Sequence, residues 1–335
     1  MAGLTVPHRR EMAELPVSHG GVFVISIDVE LAWGYCDLAV GSHEREGFGK
    51  EREASRRLLD LFGRYNIRAT WAIVAHLLLD NAPRKNGRAH PGFPRPVIKG
   101  ESRDWFDSLP QGPNEAWYAR DLVEMIRAAK PTQEIASHSF CHVIFDEGST
   151  QRNAIEADLR LAKSLHQEAG LPFETFVFPR DQVGFRDLLV RAGILVYRDR
   201  TRRWYDYLRP APLRRLGHLL HYVLGIPPRP VRASIDRFGL VRVPDSMHFL
   251  RRDGLRRWVP GGRQASMASR GLSKAASEAS IFHLWLHPLS LAFHMEEQLA
   301  EIESILSHAR ALRTAGRLQN LTLQEIGSRV RSGME

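Results

Sequence analysis

The residues able to do chemistry fall in a few short runs. Ser26-Ile27-Asp28-Val29-Glu30 places two carboxylates two positions apart behind an apolar stretch. Side chains alternate along a strand, so Asp28 and Glu30 would leave its end on one side with Val29 turned away. Two carboxylates that close repel unless a cation or proton sits between them, which points to metal binding or acid–base work. Ser137-His138-Ser139-Phe140-Cys141-His142 carries two histidines four apart. With 15 histidines in the chain such a pair proves little by itself, and His283 and His287 form a second. On a continuing strand the rings of His138 and His142 would stand ~13 Å apart, whereas a turn of helix or loop brings them within chelating reach. Two histidines, one carboxylate and an open water position make a catalytic zinc set. Cys141, between them, reads as a small core residue. Phe178-Pro179-Arg180-Asp181-Gln182 offers Arg180 as a partner that could fix Asp28. His283, Trp285 and His287 share one side of an apolar run, with His287 at its end beside Pro288. His287 is placed to supply a proton near neutral pH, while His283, further down, reads as a core histidine.

These groups need elements to carry them. Val22 to Ile27 is β-branched and nearly continuous in apolar character, as a parallel strand buried on both faces requires. Helical spacing follows from Glu51 to Tyr65, then a strand from Ala69 to Val74. A helix from Glu115 to Lys130 stops before Pro131 and leads into a strand at Glu134 to Ser137. Ser149 and Thr150 cap a helix running to Ala169, with Gly170 as its stop. Thr175 to Phe178, a helix from Phe185 to Ala192, and Ile194 to Tyr197 continue the alternation. Ile281 to Leu286, a helix from His294 to Thr314 and a terminal segment from Leu318 to Ile326 complete it. Repeated strand-then-helix units predict an α/β fold with a parallel sheet, open or closed into a barrel. In such folds catalytic groups gather at the C-terminal ends of strands, which is where Asp28, His138, Arg180 and His287 fall.

The chain has 335 residues, 43% hydrophobic and 25% charged, which excludes intrinsic disorder and fibrous repeats. Its two cysteines, Cys36 and Cys141, are too few for a disulfide framework or a four-cysteine zinc site. No apolar stretch matches the ~20 residues of a bilayer-spanning helix, and Met1 to Gly20 lacks the apolar core of a secretory signal. The reading is a cytoplasmic chain. The net charge of +9 is unevenly spread: Arg198–Arg263 holds sixteen arginines against five aspartates, a net +11, while the remaining 31 basic and 33 acidic residues give −2. Broken by prolines, this segment reads as an irregular insertion whose arginines suit phosphate or carboxylate partners, or else form a solvated surface of local ion pairs. Within it Leu208 to Ile226 is amphipathic, fit either to rest on anionic lipid or to form a lid over a cleft. Nucleic acid is set aside, because no recognised binding motif accompanies the charge. Phosphate-loop, G-x-S-x-G and H-E-x-x-H patterns are absent.

Taken in order, Ser26-Ile27-Asp28-Val29-Glu30, Ala69-Thr70-Trp71, Ser137-His138-Ser139-Phe140-Cys141-His142, Phe178-Pro179-Arg180 and Leu284-Trp285-Leu286-His287-Pro288 resemble the polysaccharide deacetylases of the NodB-homology type, from about Val22 to Ile326. The resemblance implies a distorted parallel (β/α) barrel of about seven strands, with a basic insertion before the last strands. It divides the chain into an N-terminal extension, 1–20, and a catalytic domain, 21–330, that includes the arginine-rich insertion 199–279. It implies a zinc-type divalent metal held by Glu30, His138 and His142, with Asp28 as general base, Arg180 orienting it, and His287 as general acid. Two departures stand out: the second acid is a glutamate one step later than the common adjacent aspartate, and Arg180 lacks the usual following Pro-Tyr. The implied reaction is removal of an N-acetyl group from a sugar of a polysaccharide or its cytoplasmic precursor. Alternatives on the same fold are a deformylase or cyclic-amide hydrolase. An alternative of another class is an inactive binding protein that uses the basic segment at an anionic membrane surface, on the inner face of the membrane.

Overall fold

Gly21–Val29 (β1) is buried along all nine residues, as its apolar run requires, because it pairs with a parallel neighbour on either side. The structure, a computed structural model, describes residues 20–38, 41–96 and 104–333, so the N-terminal extension, apart from Gly20, lies outside the described residues. The other strands of the sheet are β2 (Thr70–Ile73), β3 (Glu134–Ser137), β4 (Thr175–Val177), β5 (Val196–Asp199), β6 (Ser234–Ile235), β7 (Val241–Pro244), β8 (Met247–His248), β9 (Ile281–Leu286) and β10 (Leu318–Asn320). Around them lie α1 (Ser42–Tyr65), α2 (Arg120–Ala128), α3 (Arg152–Glu168), α4 (Arg186–Ala192), α5 (Ala211–Val223), α6 (Arg263–Glu278), α7 (Pro288–Ala292), α8 (Met295–Thr314) and α9 (Leu323–Ser332). A small hairpin, Arg84–Lys85 with Arg88–Ala89, stands apart.

The sheet runs β8-β9-β1-β2-β3-β4-β5-β7-β6, with β10 added beside the first half of β1. Every pairing is parallel except that of β6 with β7. β7, next to the last strand of this path, and β8, its first, are one bent stave, because only Asp245 and Ser246 separate them. Asp245 N donates to Asp199 O on one side and Ser246 N to His283 O on the other, closing the seam. The result is the expected distorted parallel barrel, with β3 held to β4 at a single residue pair, Ser137 and Phe176.

Strand parity sorts the interior. Phe23, Ile25, Ile27 and Val29 of β1 face the helices, while Val22 and Val24 join Ala72, Ala136, Val177, Val196, Val241 and Ile281 in a separate apolar cluster inside the barrel. Leu323, Ile326 and Val330 of α9 pack into that cluster and plug the base, their helix started by a capping box between Thr322 and Glu325. Two residues further along each inward row the side chains turn polar: Ser26 and Asp28, His138, Arg198, and His283. Apolar base and polar mouth follow from one alternation read along several strands.

The segment expected to be irregular is not. The insertion 199–279 holds α5, all of α6, and the β7–β8 stave that closes the barrel. Prolines and alternating arginines hid a stave whose inward residues, Val241 and Val243, are few and whose partners are distant in sequence.

Candidate metal-binding site at the barrel mouth

Glu30 leaves the end of β1 with helical backbone angles and begins the short turn Leu31–Tyr35. Gly34 in that turn passes so close that a methyl group there would collide with Glu30 Oε2. The histidine loop follows β3. His138 continues the inward row, then the chain reverses through left-handed backbone at Ser139 (φ 67°) and at His142 (φ 57°). That reversal brings the two rings to 5.1 Å between centroids. Asp158 of α3, fully buried, holds the loop by accepting from Phe140 N at 2.9 Å, Cys141 N at 3.1 Å and Cys141 Sγ at 3.4 Å. Cys141 is thus a core residue, as its position suggested.

Three imidazoles converge on one carboxylate oxygen. Glu30 Oε1 lies 2.9 Å from His138 Nε2, 3.1 Å from His142 Nε2 and 3.4 Å from His287 Nε2. His287 Nε2 is also 3.9 Å from Asp28 Oδ2. Val177 O accepts from His138 Nδ1 at 2.8 Å, which fixes the tautomer that leaves the Nε2 lone pair facing Glu30. Donor atoms of Glu30, His138 and His142 all lie within 4.8 Å of one another. Two imidazole nitrogens from buried histidines and one oxygen of a partly buried carboxylate, mutually in reach, fit a zinc-type divalent ion.

Asp28 is held differently from the expectation. Arg180 does not reach it. Arg180 Nη2 donates instead to Gly34 O at 3.0 Å and pairs with Asp37 Oδ1 at 2.5 Å. Left-handed backbone at Arg180 (φ 56°) swings it out to the rim. The guanidinium on Asp28 belongs to Arg198, with Nη1 2.7 Å from Oδ1 and Nη2 2.6 Å from Oδ2. The same Nη2 reaches Asp181 Oδ1 at 3.1 Å, Nη1 reaches Ser26 Oγ at 3.1 Å, and the fork lies 4.4 Å from the Trp285 ring centroid. The sequence reading ends the fifth strand at Tyr197. One residue more puts Arg198 in the inward row with Val196, and parity was the signal available.

Charge states follow from these contacts. Burial pushes Asp28 up, but Arg198 and His138 hold it below the usual carboxylate range. Burial likewise opposes ionisation of Glu30, and His287 and His142 outweigh it, leaving the pKa well below normal. Burial would lower His287, yet Glu30 and Asp28 raise it to about 9, so it carries a proton at neutral pH. Burial lowers His142, which stays neutral. His283 sits 2.9 Å from Ser26 Oγ and 3.1 Å from Pro244 O, a satisfied core histidine lowered by burial to about 4.

Asp28, Glu30, His142, Arg180 and His287 line one cavity of about 400 Å³. Glu51 of α1 also faces it. That carboxyl is buried, its Oε1 has no hydrogen-bond partner among the described residues, and burial together with the Glu30 charge raises its pKa to about 8. Sequence spacing gave no sign of Glu51, which looked like one more charge at the start of a helix.

No protein-family model matches the chain, and a search of curated proteins finds no match. Solved structures do match in fold. A putative polysaccharide deacetylase from Mycobacterium smegmatis superposes with a TM-score of 0.61 at 13% identity, covering 96% of this chain and 94% of that one. A probable polysaccharide deacetylase from Pseudomonas aeruginosa PAO1 gives 0.57 at 14%, covering 92% and 90%. The Puue allantoinase gives 0.61 at 12%, covering 98% of both chains. This chain shares their fold.

Proposed function

We propose that the protein is a metal-dependent hydrolase that removes the N-acetyl group from a sugar of a polysaccharide or of its precursor, within the cytoplasm. The observation that carries this reading is the convergence of His138, His142 and His287 on Glu30 Oε1 beside an ionised Asp28 at the barrel mouth. Glu30, His138 and His142 are the residues that would hold the ion, zinc by donor type. Bound there, a divalent cation lowers the pKa of water toward ~7 and polarises an acyl oxygen.

The chain's own groups do the rest. Asp28, kept ionised and fixed by the Arg198 fork, accepts a proton as water oxygen bonds to the acyl carbon. His287 arrives protonated and gives that proton to the amine nitrogen as the C–N bond breaks, yielding acetate and a free amino sugar. Arg198 is a positioning residue, and Arg180 belongs to the rim of the cavity. A ring-amide substrate is the second reading, because the same base and acid would open a cyclic amide and the allantoinase shares the fold over nearly its whole length.

Acetate release from N-acetylated oligosaccharides by the metal-loaded protein is the test. His287→Gln and Asp28→Asn are each expected to lower kcat by about 100-fold or more. Undiminished turnover in both variants would overturn the proposal, and ring opening of a cyclic amide without acetate release would move the assignment to the second reading.

A further inference from the structure

Among the described residues ten large hydrophobic side chains are exposed, and eight of them fall between Trp204 and Trp258. Four lie on α5. Leu213, Leu216, Leu220 and Leu224 recur at helical spacing and form one stripe, 49%, 50%, 40% and 65% exposed. A surface helix normally turns its apolar stripe inward. Here the inward face is already made by Tyr222, Leu219 and Val223, which pack on the core, so the leucine stripe is a second apolar face turned to water. Beside it the turn Gly254–Trp258 presents Leu255 at 71% and Trp258 at 64%. Trp204 and Tyr207 add amphipathic rings of the kind that sit at bilayer interfaces.

The charge around this face has one sign. α5 contains no acidic residue. Arg202, Arg209, Arg214 and Arg215 have no ion pair among the described residues, while the nearby Asp206 and Asp253 are taken up by Arg200 and by Arg251 and Arg256. An exposed leucine stripe edged by unpaired arginines is the composition of a helix that lies in the headgroup plane of an anionic bilayer. A second copy of the chain fits poorly, since it would bring two net +11 segments face to face. No described helix is long and apolar enough to cross a membrane. Position gives the face its meaning. Arg256, between Leu255 and Trp258, also lines the catalytic cavity, so the face and the cavity mouth adjoin.

We propose that α5 with the turns Trp204–Tyr207 and Gly254–Trp258 docks on an anionic lipid surface. The cavity mouth then opens at the headgroup level, and its substrate is a lipid-linked N-acetylated sugar. The docking claim stands on the exposed face alone, and the substrate class rests on the hydrolase reading above.

Flotation of the full chain with phosphatidylcholine vesicles, with and without phosphatidylglycerol, tests it. Binding is expected to the anionic vesicles and to be weakened by salt. Arg214→Ser with Arg215→Ser should cut it about tenfold or more, and Leu216→Gln with Leu220→Gln should cut it comparably. Both variants should keep wild-type melting temperatures and wild-type turnover of a water-soluble N-acetylated sugar. Equal binding to neutral and anionic vesicles, no binding to either, or a dimer dissolved by the leucine changes would overturn the docking proposal. Vesicle binding without any acetate release would leave the surface standing and remove the deacetylase reading, whereas acetate release without binding would do the reverse.

Discussion

Arg198 and Arg180 stand near the same carboxylate, and substitution should separate them. Arg198 is 1% exposed and offsets the buried Asp28 and the partly buried Asp181, so Arg198→Ala strips both of their guanidinium and should cost about 3–5 kcal/mol of stability by chemical denaturation. Arg180 is 36% exposed at the rim, and Arg180→Ala should cost no more than about 1 kcal/mol. Equal losses in the two variants would contradict the assignment. Gly34 offers a second check at this scale. A methyl group at Gly34 displaces the Glu30 carboxylate, so Gly34→Ala should lower zinc affinity by about tenfold or more with little change in melting temperature. The residue types were legible: Asp28, Glu30, His138, His142 and His287 were all singled out by spacing and strand position, and they meet. Arg198 was hidden by a strand boundary drawn one residue early, and Glu51 by the lack of any pattern linking α1 to the mouth.

The element that makes the site is the loop after β3. Whether two histidines four apart meet depends on backbone, and left-handed angles at Ser139 and His142 leave no mark in a sequence that places neither glycine nor asparagine there. Asp158, sixteen residues beyond His142, supplies the restraint that selects this backbone. Asp158→Ala should therefore keep the barrel, as judged by circular dichroism, and lower metal affinity by about 10–100-fold. Wild-type affinity in that variant would show that the loop holds its shape unaided. The same gap between pattern and partner explains β7 and β8, whose short inward row closes the barrel only because β5 and β9 stand ready on either side.

For the whole molecule, alternation of strand and helix was enough to predict a parallel sheet, and the family resemblance supplied its closure into a barrel. The closing stave was not legible, because parallel pairing joins segments far apart in sequence. Burying that many chain segments also buries histidines away from the site, and each loses its stabilising effect as a neutral ring in acid. His166 of α3 is fully buried, Pro172 O accepts from its Nδ1 at 2.8 Å, and burial lowers its pKa from 6.5 to about 4. The unfolded chain binds a proton there at higher pH than the folded chain does. The stability His166 contributes as a neutral ring is thus complete above about pH 6.5 and is lost as the pH falls toward 4, about 3 kcal/mol in all. In urea unfolding at stepped pH, His166→Gln should flatten the loss of stability across that window by about one proton, and an unchanged slope would contradict it.

Zinc titration of the purified, metal-stripped chain, followed by calorimetry and elemental analysis, tests the central claim most directly. One ion per chain is expected, with Glu30→Gln and His138→Ala each weakening its binding by at least about 100-fold while the protein stays folded. A wild-type chain that takes up no ion, or variants that bind it as tightly as wild type, would contradict the account.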